Sequence, residues 1–105
     1  MRTYTFDLGD KQYTLKYDYN ALCDIEEMSG QNLQSLFSDG KVGLNTIRLL
    51  LWGGLKWKMN GITKQQVGFI MNTLQEEDRL NEVVQKASEL IAQSTGKGKE
   101  EDKGE

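Results

Sequence analysis

Thr3-Tyr4-Thr5-Phe6-Asp7-Leu8-Gly9-Asp10-Lys11-Gln12-Tyr13-Thr14-Leu15-Lys16-Tyr17 is the stretch that decides how this chain begins to fold. Polar and apolar side chains alternate on both sides of Gly9-Asp10, the pattern of two strands that each bury one face. A two-residue loop at Gly9-Asp10 sets the register. Phe6 then faces Tyr13 and Tyr4 faces Leu15 on the packed side, while Thr5 meets Thr14 and Asp7 meets Gln12 on the wet side.

Beyond Tyr17 the period becomes helical. Asp18 is placed to cap a helix over residues 19–29, where Tyr19, Ala21, Leu22, Ile25 and Met28 recur at helical spacing and Gly30 supplies a left-handed stop. Asn32 caps a short second helix over residues 33–38, with Leu33, Leu36 and Phe37 as its apolar edge and Asp39-Gly40 as its end. Residues 44–57 carry Leu44, Ile47, Leu49, Leu50, Leu51, Trp52 and Leu55 on nearly every side, as in a helix that sits centrally or touches another subunit. Gly53-Gly54 within it costs roughly 1 kcal/mol per glycine against alanine. That cost fits either a closely approaching backbone or a bend.

Asn60-Gly61 marks a turn, and Thr63 with Gln66 forms a capping box for a short helix carrying Val67, Ile70, Met71 and Leu74. A last helix is predicted over residues 76–93. Glu76, Glu77 and Asp78 would open it where the helix dipole favours negative charge, and Leu80, Val83, Val84, Ala87, Leu90 and Ile91 form its stripe. The expected fold class is therefore α+β, an N-terminal β-hairpin followed by a mostly helical domain of four to five helices, one domain over residues 1–95. Residues 96–105, glycines among lysines and acids, offer nothing to bury and read as a disordered charged tail.

A chain of 105 residues fits a single core. Its hydrophobic content of 37% is enough to fold, with self-association into a homo-oligomer or a partner adding stability. A net charge of −3 with no cluster of Lys and Arg argues against a nucleic acid partner. The most apolar run, residues 47–57, is broken by Arg48, Gly53, Gly54 and Lys56 and is shorter than the roughly 20 residues that span a bilayer, which argues against a membrane. Cys23 is the single cysteine, so no internal disulfide forms, and Met1-Arg2-Thr3 opens no signal peptide; the chain reads as cytoplasmic.

Chemistry finds little to work with. Histidine is absent, which removes the commonest general base and the commonest metal ligand together, so no catalytic, cofactor or metal residue is assigned. Glu26-Glu27 and Glu76-Glu77-Asp78 read as solvated helix ends rather than acid–base pairs or cation sites. Gly96-Lys97-Gly98-Lys99 lacks the spacing of a phosphate loop. Tyr4, Tyr13, Tyr17, Trp52 and Trp57 lack the basic neighbours of a base-stacking platform. What remains is a protein-binding surface, for which Leu49, Trp52, Leu55 and Trp57 are the candidates, although a buried helix would carry the same residues.

Tyr4-Thr5-Phe6-Asp7-Leu8-Gly9-Asp10-Lys11-Gln12-Tyr13-Thr14-Leu15 followed by Tyr19-Asn20-Ala21-Leu22-Cys23-Asp24-Ile25-Glu26-Glu27-Met28-Ser29-Gly30 resembles the tail assembly chaperones of long-tailed phages and related gene transfer agents. Their start is a short hairpin and then a helix reading roughly A-L-x-x-I-E-E-x-x-G. The likeness continues through Asn32-Leu33-Gln34-Ser35-Leu36-Phe37, the Leu-rich helix up to Trp57 and Ile62-Thr63, and so covers residues 3–93. Gly53-Gly54 and the two tryptophans stand outside that pattern.

The resemblance implies a non-catalytic chaperone that binds the long tape measure protein and helps recruit the tail tube protein around it. It also implies action in the host bacterial cytoplasm, absence from the mature virion, and a longer frameshifted form of the same chain. Two rival readings remain. One is a small phage structural protein, a head-tail connector or tail component retained in the virion; the other is a host regulatory module, which would need a basic patch or a toxin partner.

Overall fold

The computed structural model describes residues 2–36 and 42–95. Strands β1 (Thr3–Leu8) and β2 (Lys11–Lys16) form the antiparallel hairpin, paired Tyr4 with Leu15, Thr5 with Thr14, Phe6 with Tyr13 and Asp7 with Gln12, as the alternation requires. Gly9 has φ +63°, the left-handed geometry that a two-residue hairpin loop of type II′ needs at its first position. On the wet face the Thr5 and Thr14 hydroxyls lie 2.9 Å apart, and Gln12 Nε2 donates to Asp7 Oδ1 at 3.1 Å. On the packed face the buried Phe6 ring stacks between Tyr4 and Tyr13, with centroids 6.1 and 5.5 Å away.

Helix α1 (Tyr19–Ser29) has the predicted caps: Asp18 Oδ1 accepts the Ala21 N–H at 2.9 Å, and Gly30 closes the other end at φ +73°. Glu26 Oε2 accepts the Leu33 N–H at 2.9 Å, and the Asn32 side chain accepts the Ser35 N–H at 2.8 Å, which together seat α2 (Leu33–Leu36). Phe37, Ser38, Asp39-Gly40 and the tail 96–105 lie outside the described residues.

Helix α3 (Leu44–Leu55) occupies the centre, in contact with α1, β2, α4 (Lys64–Glu76) and α5 (Leu80–Ser94). Its all-round apolar character has that cause, because Ile47, Leu49, Leu50, Leu51 and Leu55 are all buried. The glycine pair is explained by close approach, made by side chains rather than by a second backbone. A Cβ on Gly53 would fall 2.7 Å from Ile25; one on Gly54 would fall 2.6 Å from the Tyr17 ring and 2.9 Å from Leu15. Tyr17 is wholly buried and its hydroxyl donates to the Leu50 carbonyl at 2.8 Å. Leu50 and Gly54 lie one turn apart on the same face, so one ridge of α3 receives both the ring and its hydroxyl. Burial pushes the Tyr17 phenol far above its ordinary pKa.

Two predicted boundaries move. α3 stops at Leu55, so Trp57 lies beyond it, and Lys56 instead forms an ion pair with Asp24 of α1. α4 opens with the predicted capping box, Thr63 Oγ1 accepting the Gln66 N–H at 3.1 Å and Gln66 Oε1 accepting the Thr63 N–H at 2.8 Å, but it is 13 residues long rather than short. It absorbs the acidic run: Glu76 ends α4, and Asp78 takes φ +60° in the reversal. The Asp78 N–H bonds to Gln75 O at 3.0 Å and the Arg79 N–H to Leu74 O at 2.8 Å, the paired closure of a Schellman motif. Leu74 and Leu80 are both buried, which leaves only residues 75–79 to turn the chain. Burying two leucines at about 1.5–3 kcal/mol each outweighs a dipole preference of about 0.3–1 kcal/mol for acids at a helix start.

Tyr4 joins β1 to α5, its hydroxyl set against Glu82. Burial first, then the negative charge and hydrogen bond of Glu82, hold its pKa above the ordinary value, with Arg79 opposing. Among the described residues no helix is long and apolar enough to cross a membrane.

Candidate protein-binding surface

The four residues singled out from the sequence do not form one surface. Leu55 is fully buried in the core that α3 organises, whereas Leu49, nearly buried, lines a groove of about 350 Å³ with Met28, Leu36 and Arg48 between α1 and α3. Trp52 is half-buried, its indole N–H donating to the Ile62 carbonyl at 3.2 Å, so it ties α3 to the turn that precedes α4. Trp57 is exposed but engaged. Its indole N–H donates to the Thr14 carbonyl of β2 at 3.0 Å, and Lys16 Nζ lies 4.7 Å from the ring centroid. The tyrosines are occupied too, Tyr4 and Tyr13 flanking Phe6 and Tyr17 in the core.

Apolar residues are exposed elsewhere as well, Tyr19 and Met28 on α1, Leu44 at the start of α3, and Met59 and Phe69 before and on α4. Val67, Ile70 and Leu74 face inward, and Phe69, on the other side of the helix, is left 62% exposed. Beside it a groove of about 490 Å³ runs between the hairpin turn and α4, with Leu8, Tyr13, Met59, Ile62 and Ile70 along it and Lys11 and Glu77 among its polar lining. Met59 is itself 38% exposed. On the other flank of α4 a smaller groove of about 340 Å³ is lined by Leu44, Arg48, Gly68, Met71 and Leu80, and Leu44 is 70% exposed. Gly68 and Phe69 are adjacent residues, one in each groove.

Phe69 and Met59 were not singled out in the sequence. The one signal for Phe69 is that it stands off the Val67, Ile70, Met71, Leu74 stripe, where an aromatic has no internal role. Met59 follows the end of α3 and carries no periodic signal.

Comparison with protein families, curated proteins and solved structures gives no match.

Chemically the surface offers apolar contact flanked by the polar side chains of Lys11, Gln66, Thr73 and Glu77. Among the described residues no three His, Cys, Asp or Glu side chains gather where a metal ion could be held. Cys23 is exposed on α1 and takes no part in either groove.

Proposed function

We propose that the chain is a non-catalytic chaperone of the phage tail assembly kind. It shelters an apolar helix face of the tape measure protein against α4 and the hairpin turn, and helps bring tail tube subunits to that client in the host cytoplasm without remaining in the virion. The observation that carries this reading is the exposed Phe69 beside Met59 over an apolar groove floor. Covering a phenylalanine is worth about 1.5–3 kcal/mol, and an apolar patch left open on a small domain favours a partner that closes it. An amphipathic helix fits such a groove by presenting residues at i, i+3, i+4 and i+7, and Lys11 and Glu77 give it opposite charges to meet. The likeness over residues 3–93 supports the identity of the client.

Co-expression with the product of the long gene immediately downstream tests this. The chain is expected to keep that product soluble and to copurify with it. A downstream product that is soluble alone and never binds would remove the tape measure reading. Retention of this chain in purified particles would make it a structural component instead.

A further inference from the structure

The two edges of the hairpin are treated differently, and the difference points to a second interaction surface. In a hairpin closed by a two-residue loop, Leu8 and Lys11 exchange hydrogen bonds, and the exchanging pairs then alternate along the ladder. Phe6 with Tyr13 and Tyr4 with Leu15 bond inward, so the peptide groups of Thr3, Thr5 and Asp7 face out from β1, and those of Gln12, Thr14 and Lys16 face out from β2. The indole of Trp57 agrees with this alternation, because it reaches the Thr14 carbonyl from outside the sheet. With Lys16 over the same ring, an aromatic and a charge obstruct the β2 edge, as is common where strand addition is to be prevented.

The β1 edge has no such guard. Thr3, Thr5 and Asp7 are exposed, and among the described residues no side chain bonds to their outward peptide groups. The strand Thr3-Tyr4-Thr5-Phe6-Asp7-Leu8 has no proline, no inward-pointing charge and no bulge in its register. Asp7 and Leu8 apart, it is a row of β-favouring residues whose outward donors and acceptors meet no partner among the described residues.

We propose that β1 pairs antiparallel with β1 of a second copy of this chain, joining two hairpins into one four-stranded sheet. The register follows from the outward groups. Thr5 lies opposite Thr5 on the two-fold axis and Thr3 opposite Asp7 on either side, so all three outward residues make exchanging pairs and no like charges meet. Tyr4 then stands across from Phe6 of the copy, which extends the aromatic row Tyr13–Phe6–Tyr4 over the new seam. An overlap of all six residues is excluded, because it would set outward Thr5 against Phe6 and outward Thr3 against Leu8, whose peptide groups bond inward.

Sedimentation equilibrium of the full chain, from about 1 μM to about 1 mM, reads the pairing directly. The wild type is expected to move from its monomer mass of 12.0 kDa toward twice that value. Thr5→Lys sets two ammonium groups against each other on the axis and should raise the dissociation constant at least about tenfold. Thr5→Glu should do the same, and an equimolar mixture of T5K with T5E should restore the dimer. Thr5→Pro removes an outward donor while leaving the hairpin's own ladder intact, and should also give monomer.

A wild type that stays monomeric throughout overturns the proposal, as does a dimer indifferent to T5K, or a T5K and T5E mixture that remains monomeric. A monomeric wild type whose client binding is lost in T5K would assign the edge to a foreign strand and equally overturn pairing between copies. Pairing is read on the purified chain alone, so its failure leaves the client reading standing.

Discussion

At Gly53-Gly54 an added methyl group would fall within 2.7 Å of Ile25 and Tyr17, whereas at Gly68, in the middle of α4, nothing lies within 4 Å of the same position. Each glycine carries a similar helix penalty, about 1 kcal/mol against alanine. In α3 the chain itself explains the penalty, since a tyrosine and an isoleucine occupy the space. In α4 the fold gives no reason for the glycine, and the next residue is the exposed Phe69. One region is filled from within the chain; the other is left open.

The largest expected effect that would break this contrast is at Gly54. Gly54→Ala should lower stability by about 2–3 kcal/mol, because the Tyr17 ring and Leu15 are both in the way and neither can move without disturbing β2. Gly53→Ala should cost somewhat less, about 1–2 kcal/mol, because Cδ1 and Cγ1 of the buried Ile25 must both give way but no ring or second side chain does. Urea unfolding checks both, as a shifted midpoint at unchanged slope. Equal and negligible losses would mean that the glycines are not filled from within.

Tyr17→Phe keeps the ring against Gly54 and removes only the hydroxyl, so a smaller loss of about 1 kcal/mol is expected. It also tests the titration. A buried phenol whose folded pKa is raised holds its proton where the unfolded chain releases it. Stability is therefore unaffected below about pH 10 and falls above it, by up to about 1.4 kcal/mol per pH unit for each such tyrosine. Unfolding measured at alkaline pH should show a shallower decline in Y17F than in the wild type, with Tyr4 supplying what slope remains.

On the open side the sign reverses. Gly68→Ala meets nothing and should stabilise the chain by about 0.5–1 kcal/mol, with client copurification unchanged because Gly68 lines the groove on the other flank of α4. Asp78 is the converse case, a side chain at φ +60° where glycine is the easier choice. Asp78→Gly should add about 0.5 kcal/mol, the smallest change of the series, visible as a slightly raised urea midpoint.

The same contrast describes what could be read from the sequence. The hairpin register was legible residue by residue, because period-two alternation around a two-residue loop admits one pairing that buries Phe6 and Leu15 together. The caps Asp18, Gly30, Asn32 and Thr63 were legible because each satisfies peptide groups that a helix end leaves unbonded. Glu76-Glu77-Asp78 misled because acids look alike at the end of one helix and the start of the next, and only the burial of Leu74 and Leu80 places the turn between them. Gly53-Gly54 was legible as a penalty but not as a cause, since Tyr17 and Ile25 reach it only after the chain has folded. Of the four binding candidates Leu49 and Leu55 went to the core and Trp57 to the surface, because hydrophobicity alone concentrates where the core is and does not tell which apolar residues, among them Tyr19, Leu44, Met59 and Phe69, stay exposed.

Whether the α4 side of the molecule holds the client is read by client copurification in two serine variants that each remove a well-exposed aromatic. Phe69→Ser alters the α4 surface beside the hairpin turn, and Tyr19→Ser alters α1 outside that groove. Both should melt within about 0.5 kcal/mol of the wild type. Y19S is expected to retain the tape measure protein and F69S to lose it. Retention by F69S at the wild-type level would contradict the α4 placement.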